Sequence, residues 1–446
     1  MITADNKPTL GIFSLNSCNG CQEQILNADT LLPEVDNQAR FVYWPKVMDA
    51  EVPEHVDIAV IEGAIKTQED EAYAKKVREI ADKVIAIGMC ATGLNWKDEE
   101  KAYKPLTSAI VVDYKVRCCP IDTAKFIKVL QTAINGNNTF ESTATLCGAC
   151  KMNEVECLFG SGRLCGGLIT QTGCEAICTS LGSVCYGCGG VSMNAQLETA
   201  QNVFEQVSPG SKLDDILDVC STDRLLAQNI EGLDKDASAF VVSRKCGRHS
   251  HKNMIEHVKQ WEFDNSILVD AGVEWFRSAI VEISDARNYL SDLYFDTLRR
   301  AYGYDSFFAF YEDRTELAKE FLQTRVILNN ALTELTGRAI HPITLDIARS
   351  PELRSEVSKD IETCIDFAVS SVDLANELWE NTESPDKTPV LDDVLEKWSD
   401  MTEQARFAAA KAGLRAPETD NRRECVAKAV AAVDCLESAI AHLGAF

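Results

Sequence analysis

From Thr9 to about residue 135 the chain alternates between short apolar runs and charged stretches whose apolar side chains recur every three or four positions. TLGIFSL, VDIAVIEGAI, KVIAIGMCA and SAIVVDYKV are rich in β-branched residues and predict four buried strands. KTQEDEAYAKKVREIADK, lying between two of them, has the spacing of an amphipathic helix. Strands alternating with helices predict an α/β, flavodoxin-like parallel sheet over residues 1–140. Residues 141–195 are rich in Gly and Cys with little periodicity, so a small cysteine-rich segment held by something other than a hydrophobic core is expected. From 196 to 446 the pattern is helical, in runs from Ile267 to Tyr302, Asp313 to Thr336 and Glu352 to Trp379. The stretch ENTESPDKTP (380–389) has loop composition and Pro417 breaks a later helix, so the third part is expected to be an all-α domain.

At 446 residues the chain has room for two to four domains of ~100–200 residues each. No run approaches the ~18 apolar residues of a spanning helix, and MITADNKPTLGIFSL lacks a basic-then-apolar signal, which predicts a cytoplasmic protein without membrane insertion. The formal charge is −25, from 44 Lys+Arg against 69 Asp+Glu. Such a surface repels phosphate backbones and argues against nucleic acid as a partner. It hints at a salt-adapted host or a basic redox partner, but a plain solvated acidic surface is the simpler reading.

Eighteen cysteines change the picture most, thirteen of them between Cys18 and Cys188. In a chain with no export signal this density points to metal binding rather than to disulfides, and thiolates select zinc or iron–sulfur clusters. Ligand sites of open parallel sheets form at the carboxyl ends of strands. Cys18 and Cys21 follow the first apolar run, Cys90 the third, and Cys119 the fourth, just before Pro120. Four thiolates arriving from three strand ends can hold one [4Fe–4S] cluster, and Gly20 and Gly88 let the backbone come close.

A second set is Cys147-x2-Cys150-x6-Cys157-x7-Cys165-x8-Cys174-x3-Cys178-x6-Cys185-x2-Cys188. Eight cysteines match two four-thiolate clusters in number, with spacing unlike the bacterial ferredoxin run. Zinc knuckles compete as a reading, since CxxC stands at both ends. The neighbouring site favours iron–sulfur, because several clusters form a chain for electrons. Spacing does not divide the eight between two clusters. Cys118 reads as a spare packing thiol, and Cys220, Cys364 and Cys425 as structural.

Taken together, SCNGCQEQIL, VIEGAI, AIGMCA and CCP resemble, in order and setting, the proximal-cluster domain of [NiFe] hydrogenase small subunits, which is shared with the 20 kDa-type subunit of respiratory complex I. ECLFGSGRLCGGLITQTGCEAICTSLGSVCYGCGG resembles the medial and distal cluster region of the cytoplasmic methyl-viologen-reducing, F420-reducing and sulfhydrogenase types. The resemblance covers residues 8–195; where that family usually has GCP, this chain has Cys118-Cys119-Pro120. More faintly, the rest resembles a shortened hydrogenase large subunit. DKDASAFVVSRKCG (234–247) is similar to the approach to the family's first CxxC, ELTGRAIHPI (334–343) to its GGRxxHP, and VDCLESAIAH (433–442) to its DPCxxCxxH. Both nickel-binding pairs are altered, to Cys246-x-x-His249 and Cys435-x-x-Ser438, and the R-x-E-G-H element is absent.

The resemblance implies an electron-transfer protein carrying three [4Fe–4S] clusters, serving a heteromeric oxidoreductase complex with flavin- or ferredoxin-type partners and sensitive to oxygen. No G-x-G-x-x-G or P-loop appears, so flavin or nucleotide chemistry would belong to the partner. The alternative is a single-chain hydrogenase-like oxidoreductase with a rebuilt nickel, iron or zinc site at Cys246, His249 and Cys435, which Glu437 and His442 could complete. Against it stands a degenerate scaffold in which Cys246 and Cys435 only pack. Glu23 is a candidate proton-transfer group near the subunit boundary, or an ordinary solvated carboxylate, and Arg338 with His341 reads as a fold-holding pair at a helix end. A zinc-binding assembly protein is the third class.

Overall fold

The computed structural model describes residues 7–93, 96–97, 102–138, 142–185, 187–210, 274–340, 350–380 and 421–444. These fall into two compact units, one of residues 1–45, 49–273 and 329–354, the other of 46–48, 274–328 and 355–446.

The first unit is built on β1 (Thr9–Ser14), β2 (Arg40–Tyr43), β3 (Val56–Glu62), β4 (Ala81–Ile87) and β5 (Tyr114–Val116). All neighbours are parallel and the order is β2-β1-β3-β4-β5, that of flavodoxin-type doubly wound sheets. Parallel strands covered on both faces need near-continuous apolar runs, and β3 and β4 have them. Phe13, Ala59, Ile61, Val84 and Ala86 form one cluster with Ala74 and Val77. Ile12, Ile58, Val60, Ile85 and Ile87, which the pleat turns the other way, are equally buried.

The helices of this unit are α1 (Gly20–Leu26), α2 (Leu32–Gln38), α3 (Gln68–Ile80), α4 (Gly88–Thr92), α5 (Thr123–Ile134), α6 (Leu146–Met152), α7 (Ile177–Ser180) and α8 (Leu197–Val207). A capping box starts α3: Asp70 N–H donates to Thr67 Oγ1 at 3.1 Å, and Thr67 N–H to the Asp70 carboxylate at 2.7 Å. Asp122 caps α5 by accepting from Lys125 N–H at 2.7 Å. Among residues 142–210, turns and short helices gather round Ile169, Val191, Leu197, Ala200 and Phe204. The cysteine-rich stretch therefore has a small apolar core, which α8 supplies from beyond residue 195.

Two expectations shift. RFVY forms β2, a four-residue strand the apolar pattern missed because Arg40 and two half-buried neighbours break it. SAIVVDYKV forms a strand only from Tyr114: the Asp113 carboxylate takes Val84 N–H at 2.7 Å and Arg78 at 2.6 Å, so pairing starts after it, and Val111 is exposed.

The second unit is helical: α9 (Glu274–Asp292), a π-turn over Leu293–Thr297, α10 (Leu298–Ala301), α11 (Phe307–Asp313), α12 (Thr315–Thr336, within this unit as far as Leu328), α13 (Pro351–Glu380, from Ser355) and α14 (Asn421–Gly444). Here α9 packs along α14. Tyr294 stacks on Phe321 and Phe367 with centroids at 4.5 and 5.4 Å, and its hydroxyl meets Ser371 Oγ at 2.8 Å. Buried Arg299 donates to the carbonyls of Phe295 and Tyr304, and buried Arg325 to Ser291. Within the described residues no helix is long and apolar enough to cross a membrane.

Candidate functional site

Strand register sets the site's floor. Pairing aligns Ser14 with Glu62, Glu62 with Ile87 and Ile87 with Val116, so four strands end in one row. Beyond β1, Asn19 turns the chain through φ 58° into α1, leaving Cys18 before the helix and Cys21 in its first turn. Immediately after β4, Gly88 at φ 79° opens α4, which carries Cys90. After β5 the chain turns at Cys118 (φ 92°) and enters Cys119 and its cis bond to Pro120.

Cys18, Cys21, Cys90 and Cys119 converge over this row. Burial pushes the Cys18 thiol up, with the nearby Cys119 and Glu62 adding to it. Cys21 and Cys90 are likewise raised, by burial first and then by Glu62, Cys18 and Cys119. Gly88 completes the cradle, since a Cβ there would stand 2.5 Å from Cys21 Sγ. Buried thiols that raise one another's pKa ionise together only beside added positive charge, which is what a metal supplies. The donor set thus fits a thiolate-bound iron–sulfur group.

Glu62, quoted in VIEGAI but given no role by the sequence, is buried at the centre of that floor, 2% exposed. Its carboxylate accepts Cys21 N–H at 3.2 Å and Gln22 Nε2 at 3.1 Å, while Gln22 Oε1 accepts Trp44 Nε1 at 2.9 Å. The one legible signal was an acidic residue ending an otherwise apolar buried strand.

Seven of the eight later cysteines fall into two sets of electrostatic neighbours, which Cys165 and Cys174 bring into contact through Cys185. Cys147, Cys150, Cys157 and Cys165 form one group: burial raises Cys147 to about 11, helped by Cys165, Cys150 and Cys157. Burial also raises Cys165, whose Sγ accepts Cys185 N–H at 3.2 Å. Cys174, Cys178 and Cys188 form another group, joined by Cys118. Interaction with Cys174 and Cys188 raises the Cys118 thiol, and Cys118 in turn lowers the other two, Cys188 to about 6. Burial pushes Cys178 to about 12.

Arg338 lies in the same group. Its Nη1 donates to the Cys119 carbonyl at 3.1 Å, and its charge acts on Cys178, Cys188, Cys118 and Cys174. Sequence reading gave it no place at the thiols, because residues so far apart in the chain meet only through the fold. Glu23 sits half-buried in the first turn of α1.

In the second unit, Cys435 of α14 bonds to Glu282 of α9; burial is the first cause raising that thiol, the carboxylate the next. Ser438, one turn on, donates to the same Glu282 Oε1 at 3.4 Å. Glu437 is exposed and His442 half-buried on α14. Cys364 and Cys425 are fully buried. Cys220, Cys246, His249 and His341 lie outside the described residues, so Cys435 is the member of the expected Cys246, His249 and Cys435 set that can be placed. No group of three or more His, Cys, Asp or Glu side chains among the described residues is arranged to hold a single metal ion.

Residues 18–133 match the family described as NADH ubiquinone oxidoreductase, 20 Kd subunit, a span that takes in Cys18, Cys21, Glu62, Cys90 and Cys119. This region belongs to that family. Less than half of the chain, in a stretch of 225–261 aligned residues, is similar to hydrogenase subunits. Sulfhydrogenase 2 subunit delta of Pyrococcus furiosus is 27% identical over 225 residues, 46% of this chain and 95% of that protein. A subunit of the F420-non-reducing hydrogenase of Methanocaldococcus jannaschii is 28% identical over 233 residues, 41% of this chain and 81% of that protein. The iron-sulfur subunit of the F420-non-reducing hydrogenase of Archaeoglobus profundus is 23% identical over 261 residues, covering 41% and 81%. Among solved structures, a Ni-Fe-Se hydrogenase chain from Desulfomicrobium baculatum aligns with 44% of this chain and 98% of its own at 15% identity and a TM-score of 0.34. The similarity to hydrogenase subunits thus spans 41–46% of the chain.

Proposed function

We propose that this chain is an iron–sulfur electron relay with three [4Fe–4S] clusters, working inside a cytoplasmic, heteromeric oxidoreductase complex with flavin- or ferredoxin-type partners. The observation that carries the reading is the meeting of Cys18, Cys21, Cys90 and Cys119 over the aligned strand ends, inside the 20 kDa-type region. Cys147, Cys150, Cys157 and Cys165 make a second four-thiol site, and Cys174, Cys178 and Cys188 belong to a third. A bound [4Fe–4S] group supplies one-electron transfer at each site. The chain's own residues fix the ligands: Glu62 anchors the Cys21 amide, Gly88 leaves room for the Cys21 sulfur, and Arg338 sets a positive charge beside the third site. In this reading residues 1–140 and 141–195 are the wire, and 196–446 is a shortened large-subunit-like half fused to it.

Metal analysis of the anaerobically purified full chain tests this. About twelve irons per chain, as three such clusters require, with neither zinc nor nickel in stoichiometric amount, is the expected result. Zinc in place of iron overturns the relay. Nickel near one per chain, beside the iron, would instead make Cys246, His249 and Cys435 an active centre, with H2 as the first substrate to try.

A further inference from the structure

Beneath the sheet-edge thiols, Trp44, Gln22 and Glu62 form a buried polar run, and its direction is fixed. The indole N–H of Trp44 can only donate, so the Gln22 amide turns its oxygen toward it, at 2.9 Å. The amide nitrogen then faces Ser14 Oγ at 2.6 Å and Glu62 Oε2 at 3.1 Å, and donates to both. Glu62 Oε1 accepts the Cys21 N–H at 3.2 Å. Both carboxylate oxygens therefore meet donors, the surroundings of an anion. Trp44, Gln22 and Glu62 are 0%, 3% and 2% exposed, so water screens this charge poorly.

A fixed negative charge opposes an added electron, and net charge and solvent exposure are among the quantities that set the potential of an iron–sulfur cluster. Burial first, and then Glu62 and the neighbouring thiols, raise Cys18, Cys21 and Cys90, so the carboxylate is felt across the site.

The cysteine-rich segment has the reverse character. Its described carboxylates, Glu154, Glu156 and Glu175, are all exposed, where water and salt screen them. Cys157 is exposed too, and water favours the more negative, reduced state. Cations approach instead. Lys125 Nζ donates to the Gly173 carbonyl at 3.4 Å, next to Cys174. Arg338 meets the sheet-edge site only at the Cys119 carbonyl, while its charge acts on Cys178, Cys188 and Cys174.

We propose that the buried carboxylate of Glu62 holds the sheet-edge cluster at the lowest potential of the three, so that electrons settle away from the sheet edge and into the cysteine-rich segment. In that step the cluster at Cys18, Cys21, Cys90 and Cys119 loses one electron, a cluster of the segment gains it, and no proton or bond is exchanged.

The proposal rests on the three-cluster reading above, which fails separately, and first, if the unaltered chain carries no iron. With the full chain purified anaerobically, reductive titration is followed by electron paramagnetic resonance, and Cys90→Ser identifies the sheet-edge signal as the one it removes. In the unaltered chain that signal should be the last to appear. In Glu62→Gln it should appear earlier with iron content unchanged, by about tenfold or more in the ratio of reduced to oxidised cluster at a given potential, which is about 59 mV for a one-electron couple. Glu62→Asp, which disturbs the same contacts but keeps the charge, should stay close to the unaltered chain. A sheet-edge signal that appears before another cluster's overturns the proposal, as does an unmoved signal in Glu62→Gln or an equal shift in both variants. Iron loss in Glu62→Gln also overturns it, because the carboxylate would then hold the cluster in place rather than set its potential.

Discussion

The site at the sheet edge and the cysteine-rich segment bring thiols together by different means. At the edge, the parallel ladder ends β1, β3, β4 and β5 in one row, and each thiol follows within three to seven residues of the end of β1, β4 or β5. Backbone hydrogen bonds and a two-sided apolar core place those ligands before any metal arrives. The described residues of 142–195 form turns, short helices, two isolated β-bridges and the small cluster round Phe204, and Cys157 is exposed. There the bound group would itself be much of what holds the chain, as in small metal-organised domains. Preorganised and metal-organised sites should therefore fail differently.

Iron removal should show the largest contrast. Anaerobic chelation should open residues 142–195 to protease and raise their amide exchange by orders of magnitude, while amides of β3 and β4 stay protected. Equal exposure of both regions would mean that the sheet too depends on its cluster. Next in size is Gly88→Ala, which forces a β-carbon toward Cys21 Sγ at a φ of 79°. A loss of about one third of the iron, confined to the sheet-edge site, is expected on the three-cluster count, with the fold destabilised by ~1–3 kcal/mol; full iron would show that the cradle has more room than its geometry indicates. The smallest effect is that of Arg338→Gln. The substitution takes a positive charge from beside one site, and ~3 kcal/mol of charge–charge interaction at an effective dielectric of ~20 corresponds to a fall of on the order of 0.1 V in the potential of that cluster, with iron content unchanged. Redox titration followed by electron paramagnetic resonance checks it, and a shift in the site at Cys147, Cys150, Cys157 and Cys165 instead would place the arginine's influence elsewhere.

What the sequence disclosed follows the same division. Continuous apolar runs mark β1, β3 and β4, and the cysteines beyond strand ends could be grouped in space because a parallel sheet makes position along a strand equivalent to position in space. The helices α9, α12 and α13 are equally plain in their spacing. β2 is not, being short and at an edge, and SAIVV has the pattern of a strand without forming one because Asp113, a residue with no apolar signal, decides where pairing starts. Glu62 and Arg338 are illegible for another reason. Each owes its place to a residue distant in sequence, and no local pattern records that Glu62 takes the Cys21 amide or that Arg338 meets the Cys119 carbonyl.

The Glu62 floor has one more consequence. Trp44, Gln22, Glu62 and the Cys21 amide form an unbroken run of hydrogen bonds among buried groups. Dipoles held this way are already oriented and cannot swing to follow a charge that comes and goes beside them. An electron passing over this floor would find a medium that barely rearranges, so the reorganisation energy stays small and transfer in either direction stays fast.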